Sequence, residues 1–79
     1  MYDLAMAHER IEIRSDVMLG KPVIRGTRVT VEQILRECAL GMTAAEIAEQ
    51  YPRLTPTDVQ AALAFAADYL GREVAVAAE

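Results

Sequence analysis

Three helix-start signals recur within 30 residues of this chain, and they dictate most of what it can become. Thr30–Gln33, Thr43–Glu46 and Thr55–Asp58 each place a hydroxyl three positions ahead of a side chain able to accept from its backbone N–H. That reciprocal arrangement is the capping box, with Asp58 as a short variant. Each box also has a hydrophobic staple, pairing Val29 with Ile34, Met42 with Ile47 and Leu54 with Val59. Starts this close together leave room for two short helices, a tight turn and a longer third helix. A three-helix unit of that kind is the usual frame of a helix-turn-helix.

Helix periodicity fills the frame. Val31, Ile34, Leu35 and Cys38 form an i, i+3, i+4, i+7 stripe on a helix from Val31 to about Leu40, closed by Gly41. Ala44, Ile47, Ala48 and Tyr51 mark the inner face of a second helix ending at Gln50 or Tyr51, before Pro52. The third is expected from Pro56 to Leu70, stopped by Gly71, with Val59, Ala62, Leu63, Ala66 and Leu70 inward. It carries a second apolar strip of Ala61, Ala64, Phe65 and Tyr69. A helix apolar nearly all round is covered on more than one side. Either the N-terminal segment folds over the strip, or Phe65 and Tyr69 meet a second copy or another protein.

Ahead of the helices, Ile11 and Ile13 alternate with Glu12 and Arg14 as a short strand. Pro22 to Thr30 predicts a hairpin with a Gly26-Thr27 turn, placing Ile24 opposite Val29 and Arg25 opposite Arg28. The fold class expected is mainly α: a three-helix, helix-turn-helix bundle with a short N-terminal strand and a β-hairpin. With 79 residues it forms one domain. Residues 1–9 are flexible in this reading, 11–30 hold the strand and hairpin, 31–70 the three helices, and 71–79 a tail.

The composition narrows function mostly by exclusion. One cysteine (Cys38) and one histidine (His8) cannot make an ordinary metal cluster. Cys38 reads as a buried structural thiol and His8 as solvated. Ser15 has no supporting triad motif, and glycines at 20, 26, 41 and 71 are spaced for turns and caps rather than a phosphate loop. No enzymatic activity and no cofactor are expected. No run reaches the ~20 apolar residues of a membrane span, and Met1–Arg10 lacks the pattern of a signal peptide, so a cytoplasmic protein without a membrane partner is expected.

The net charge of −4 is unevenly distributed: residues 20–36 balance to +3 through Lys21, Arg25, Arg28 and Arg36 against Glu32. Like charges facing each other across a hairpin repel, so Arg25 and Arg28 read as a grip for a carboxylate or phosphate on another molecule. The bland alternative pairs one of them with an internal acid such as Glu12 or Glu32. Lys21, Arg25, Thr27, Arg28, Phe65 and Tyr69 are the candidate partner-binding residues. A DNA-reading alternative would use Arg53, Thr55, Thr57 and Gln60 at the start of the third helix. It is disfavoured because residues 56–70 contain no Lys or Arg.

Four motifs in series, Gly20-Lys-Pro-Val-Ile-Arg-Gly-Thr-Arg-Val-Thr-Val31, Gly41-Met-Thr-Ala-Ala-Glu-Ile47, Tyr51-Pro-Arg-Leu-Thr55 and Val59-Gln-Ala-Ala-Leu63, resemble the domain of unknown function 433 family. The resemblance spans roughly Ile11 to Leu70. It implies a small homeodomain-like three-helix protein with an added β element. It also implies an antitoxin that binds and neutralises a PIN-like ribonuclease toxin and, by analogy with other antitoxins, one that can bind operator DNA as an autorepressor; a homodimer is expected from the second apolar strip of the third helix. A pure dimerisation module is the weaker third reading.

Overall fold

The structure, a computed structural model, describes residues 8–77, with side chains through Arg72. The expectation of flexibility at residues 1–7 and that of the last two tail residues lie outside these. Element order is β1 (Ile11–Glu12), a 3-10 turn (Met18–Gly20), β2 (Val23–Ile24), α1 (Val31–Ala39), α2 (Ala44–Gln50) and α3 (Pro56–Ala77). The expected class holds: three helices with a small antiparallel β unit at the N-terminal side. α3 is the spine, and α1, α2 and β1 all pack on it.

The caps explain where the helices start. At α2 and α3 the box is complete. Thr43 Oγ1 accepts from Glu46 N at 3.1 Å while Glu46 Oε1 accepts from Thr43 N at 2.8 Å. Thr55 and Asp58 repeat the exchange at 3.2 and 3.0 Å. At α1 only half forms: Thr30 Oγ1 accepts from Gln33 N at 3.0 Å, but the Gln33 side chain donates to Glu37 instead. Gly41 closes α1 at φ 92°, a backbone conformation that a Cβ disfavours. All three staples pack in or against one core cluster.

The β unit corrects the hairpin reading in its pairing partner. β2 pairs with β1, antiparallel, with Ile11 opposite Ile24 and Glu12 opposite Val23. The Pro22–Thr30 hairpin keeps its register, but only as one bridge from Val23 to Thr30 and a bond from Ile24 N to Val29 O at 3.0 Å. Its turn runs from Ile24 to Thr27, closed by Thr27 N donating to Ile24 O at 2.9 Å, with Gly26 third at φ 79°. A loop this wide never sets Arg25 against Arg28 as a strand pair, because ladder bonds stop before reaching them.

The core is Ile11, Ile24, Val31, Ile34, Ile47, Leu54, Val59, Ala62 and Phe65. α3 keeps Val59, Ala62 and Ala66 inward as expected, but its buried face turns toward Phe65, 2% exposed, and away from Leu70, 60% exposed. The larger aromatic takes the centre because Ile11 and His8 cover it. His8, expected to be solvated, meets Phe65 edge-on at 5.5 Å, and its Nε2 lies 2.7 Å from Asp68 Oδ2. α3 also runs through Gly71 to Ala77 instead of stopping. A glycine inside a helix costs only about 1 kcal/mol against alanine, and Arg72 laid 4.0 Å over the Tyr69 ring helps to carry the turn across it.

Candidate functional site

Most of the positive charge of residues 20–36 is satisfied within the chain. Lys21 Nζ lies 2.9 Å from Glu32 Oε1, and Arg36 holds the other oxygen at 2.9 Å. The hydrogen bond from Lys21, then that from Arg36, holds the Glu32 carboxyl below its ordinary range. Arg25 donates to the carbonyls of Glu9 and Ile11 and stands 3.8 Å from Glu12 Oε2. The inference that Arg25 and Arg28 need an external anion between them is thus corrected: Arg25 has internal partners. Thr27 is a turn residue whose Oγ1 donates to Ile24 O at 2.8 Å and accepts from Val29 N at 3.0 Å.

Arg28 differs. Among the described residues it makes no hydrogen bond and no ion pair with a carboxylate. It lines a shallow patch with Ser15, Asp16, Met18, Leu19 and Lys21; the Asp16 carboxyl, held below its ordinary range first by its hydrogen bond from Arg14, also feels the Arg28 charge. Leu19 is 94% exposed and, like Met18, has a left-handed backbone (φ 59° and 49°). Branched and bulky side chains disfavour that conformation, so the turn displays Leu19 at some backbone cost.

The DNA-reading candidates divide. Thr55 is consumed by its cap, while Thr57 and Gln60 are exposed on α3. Arg53 is exposed, its Nη1 donating to Gly26 O at 3.4 Å. An ion pair missed by the sequence reading closes off another cation at this end. Arg10 Nη1 donates to Asp58 Oδ1 at 2.8 Å, tying the β unit to the start of α3. Periodicity carried no signal for it, because Asp58 read only as a cap.

An apolar groove of about 470 Å³ opens between the β unit, α1 and α3. Phe65 and Ala66 are part of its wall, and Ile13, Leu35, Tyr69 and Leu70 rise around it at 49, 37, 45 and 60% exposure. Of the two aromatic partner candidates, Tyr69 is accessible. Phe65 is buried and supports the groove from below, stacked on Tyr69 at 6.2 Å.

A buried polar cluster lies between α1 and α2, unforeseen because position 37 falls beside the expected stripe. Glu37, 6% exposed, accepts at Oε2 from Tyr51 Oη at 2.6 Å and Gln33 Nε2 at 2.9 Å, while Oε1 has no partner. The hydrogen bond to Glu37, then burial, pushes the Tyr51 phenol up. Cys38 beside it is only half-buried, a thiol packed against the core but not sealed in it. A glutamine at this position keeps one oxygen to accept from Tyr51 and Gln33 and trades the carboxyl for a neutral amide, but it puts an NH2 donor where Oε1 has no partner, so the gain and the cost are of similar size. Glu37→Gln is therefore expected to leave thermal stability within about 1 kcal/mol of the parent. A loss of several kcal/mol by calorimetry would mean that Oε1 has a bound partner.

Among the described residues, no group of three or more His, Cys, Asp and Glu side chains could hold a metal ion. Nor is any described helix long and apolar enough to cross a membrane.

Comparison with known proteins places this arrangement. A solved protein from Anabaena variabilis ATCC 29413, a DUF433 member, superposes with a TM-score of 0.70 at 29% identity, over 91% of this chain and 74% of that one. The uncharacterized protein y4eO of Sinorhizobium fredii is 34% identical over 64 residues, 81% of this chain. The chain spans only 29% of the length of that relative. The family model for proteins of unknown function DUF433 matches residues 11–66, from the first residue of β1 to the middle of α3, so the chain belongs to the DUF433 family.

Proposed function

We propose that this chain is a non-catalytic, protein-binding antitoxin whose partner is a PIN-like ribonuclease, seated on the apolar groove between α1, α3 and the β unit. The groove carries the reading. Ile13, Leu35, Tyr69 and Leu70 stand exposed together around one opening in a 79-residue protein. A contiguous apolar opening of this kind marks a contact surface far more often than isolated exposed leucines do. Tyr69 suits an anchor, because its ring is already fixed between Phe65 and Arg72 and loses little freedom on binding. The partner's identity follows the family resemblance.

The test is co-expression with the neighbouring open reading frame. The pair should co-purify and suppress ribonuclease activity. Leu70→Arg together with Tyr69→Ala should weaken the complex about 100-fold, the loss of one or two anchors, with an unchanged circular dichroism spectrum. A complex that survives this double substitution undiminished would remove the groove from the interface.

One observation favours the DNA-binding regulator: Arg28 and Arg53 line one opening beside the turn ahead of α3, and Thr57 and Gln60 are exposed on the first turns of that helix. Two cations are few against the roughly 6–10 phosphate contacts of strong operator binders, and Lys21, Arg10 and Arg25 already have carboxylates. A gel shift with the upstream promoter at two salt concentrations decides it, since sequence-dependent and salt-sensitive retardation would establish the regulator.

A further inference from the structure

We propose that the notch between the hairpin tip and the α2–α3 turn is a carboxylate-binding site that takes an acidic peptide segment of a partner protein. Arg28 and Arg53, 25 positions apart in sequence, line this one opening of about 390 Å³. Val29, Pro52 and Leu54 form its apolar wall, with Tyr51 beside them. Folding thus joins a residue of the cationic hairpin to one from the turn ahead of α3.

Charge accounting singles out the pair. Arg10, Arg14, Lys21, Arg25 and Arg36 each have a carboxylate within 4 Å, and Arg72 lies over Tyr69. Arg28 shares a surface patch with Asp16 but has neither hydrogen bond nor ion pair within 4 Å among the described residues, and Arg53 makes one 3.4 Å bond to a carbonyl. Each guanidinium carries five N–H donors in a planar fork that matches a carboxylate. Both groups therefore offer unused donors around a cleft whose apolar wall lowers the local dielectric and strengthens a charged hydrogen bond.

The same features favour an acidic peptide over a nucleic-acid backbone. Two guanidinium groups suit one or two carboxylates, and Val29, Pro52 and Leu54 suit an aliphatic neighbour of the acidic residue. A polyanion would also need cations along α3, where residues 56–71 have none, and would approach a chain of net charge −4. The choice of carboxylate over phosphate leans on the protein-binding reading above, but the notch shares no residue with the groove.

Nuclear magnetic resonance on the ¹⁵N-labelled full chain tests it. The probes are an acetylated, amidated peptide Leu-Asp-Glu-Leu-Ala, its Leu-Asn-Gln-Leu-Ala counterpart, and a short DNA duplex. The acidic peptide should shift the amides of Gly26, Thr27 and Arg53 saturably, and the amide counterpart should bind at least about tenfold more weakly. Arg28→Ala with Arg53→Ala should lose about tenfold in affinity for the acidic peptide, while Arg28→Lys with Arg53→Lys keeps part of it. Equal binding of the two peptides, absence of shifts, or shifts at these amides with the duplex alone would each overturn the proposal, the last by assigning the notch to nucleic acid. Because the nuclease complex is scored separately by co-purification, a silent notch leaves the groove reading standing, and a failed complex leaves the peptide result intact.

Discussion

Phe65→Ala is expected to cost about 3–5 kcal/mol, the range for truncating a fully buried aromatic. A chain of this size has roughly 4–12 kcal/mol of stability in all, so the variant sits at the edge of folding. Its melting midpoint should fall by at least about 12 °C, taking 4–8 °C per kcal/mol for a small domain. The size of the effect comes from position. Phe65 is 2% exposed, belongs to the cluster that joins Ile11 to α1 and α2, and carries His8 on its edge. One turn along the same helix, Tyr69 is 45% exposed. Tyr69→Ala should lose about 1 kcal/mol or less while disabling the groove. Thermal melts of the two variants, with Phe65→Leu as a volume-keeping control, separate core from surface. Equal melting of Phe65→Ala and the parent would restore the helix setting in which Leu70 faces inward.

That contrast shows how far periodicity carries. Thr30, Thr43 and Thr55 mark all three helix starts because capping is local chemistry, decided within four residues. The β unit was half legible: Ile11 and Ile24 alternate correctly, but which strand joins which depends on chain closure that no short window contains. α3 was the hardest element to orient. With alanine or larger apolar residues on nearly every face, its pattern permits more than one setting, and the choice falls to what covers it. Ile11 and His8 do so, and a single histidine in an aperiodic segment gives no warning of that. The candidate site suffered likewise. Counting charges along residues 20–36 located the cations and offered Glu12 and Glu32 as internal acids, but only folding puts Glu12 beside Arg25 and gives Glu32 to Lys21. Arg53, by contrast, looked isolated in sequence and is brought to Arg28 only by the turn before α3.

Asp58→Ala is the second large effect, at about 2 kcal/mol. Asp58 is 7% exposed and serves two structures at once. Its Oδ2 accepts from Thr55 N at 3.0 Å, completing the α3 cap, and its Oδ1 accepts from Arg10 at 2.8 Å. Loss of the cap accounts for about 1 kcal/mol. The charge-assisted bond adds a similar amount, discounted because the Arg10 side chain is half exposed. Burial alone would raise the Asp58 pKa, but the Thr55 backbone and the Arg10 guanidinium outweigh it and hold the carboxyl below its ordinary 3.8. Since the folded value lies below the unfolded one, this stabilisation is complete above about pH 4 and is lost as pH falls through the folded value. The parent should therefore lose stability on acidification below pH 4 more steeply than Asp58→Ala, in which this group is absent. Asp58→Asn keeps an acceptor for Thr55 and gives up the charge, so it should fall between them at neutral pH and share the flatter acid limb. Chemical denaturation at a series of pH values reads all three. Parallel acid limbs for parent and variants would mean that neither the Thr55 backbone nor Arg10 holds the Asp58 carboxyl down, and would undo both the cap and the ion pair assigned to it.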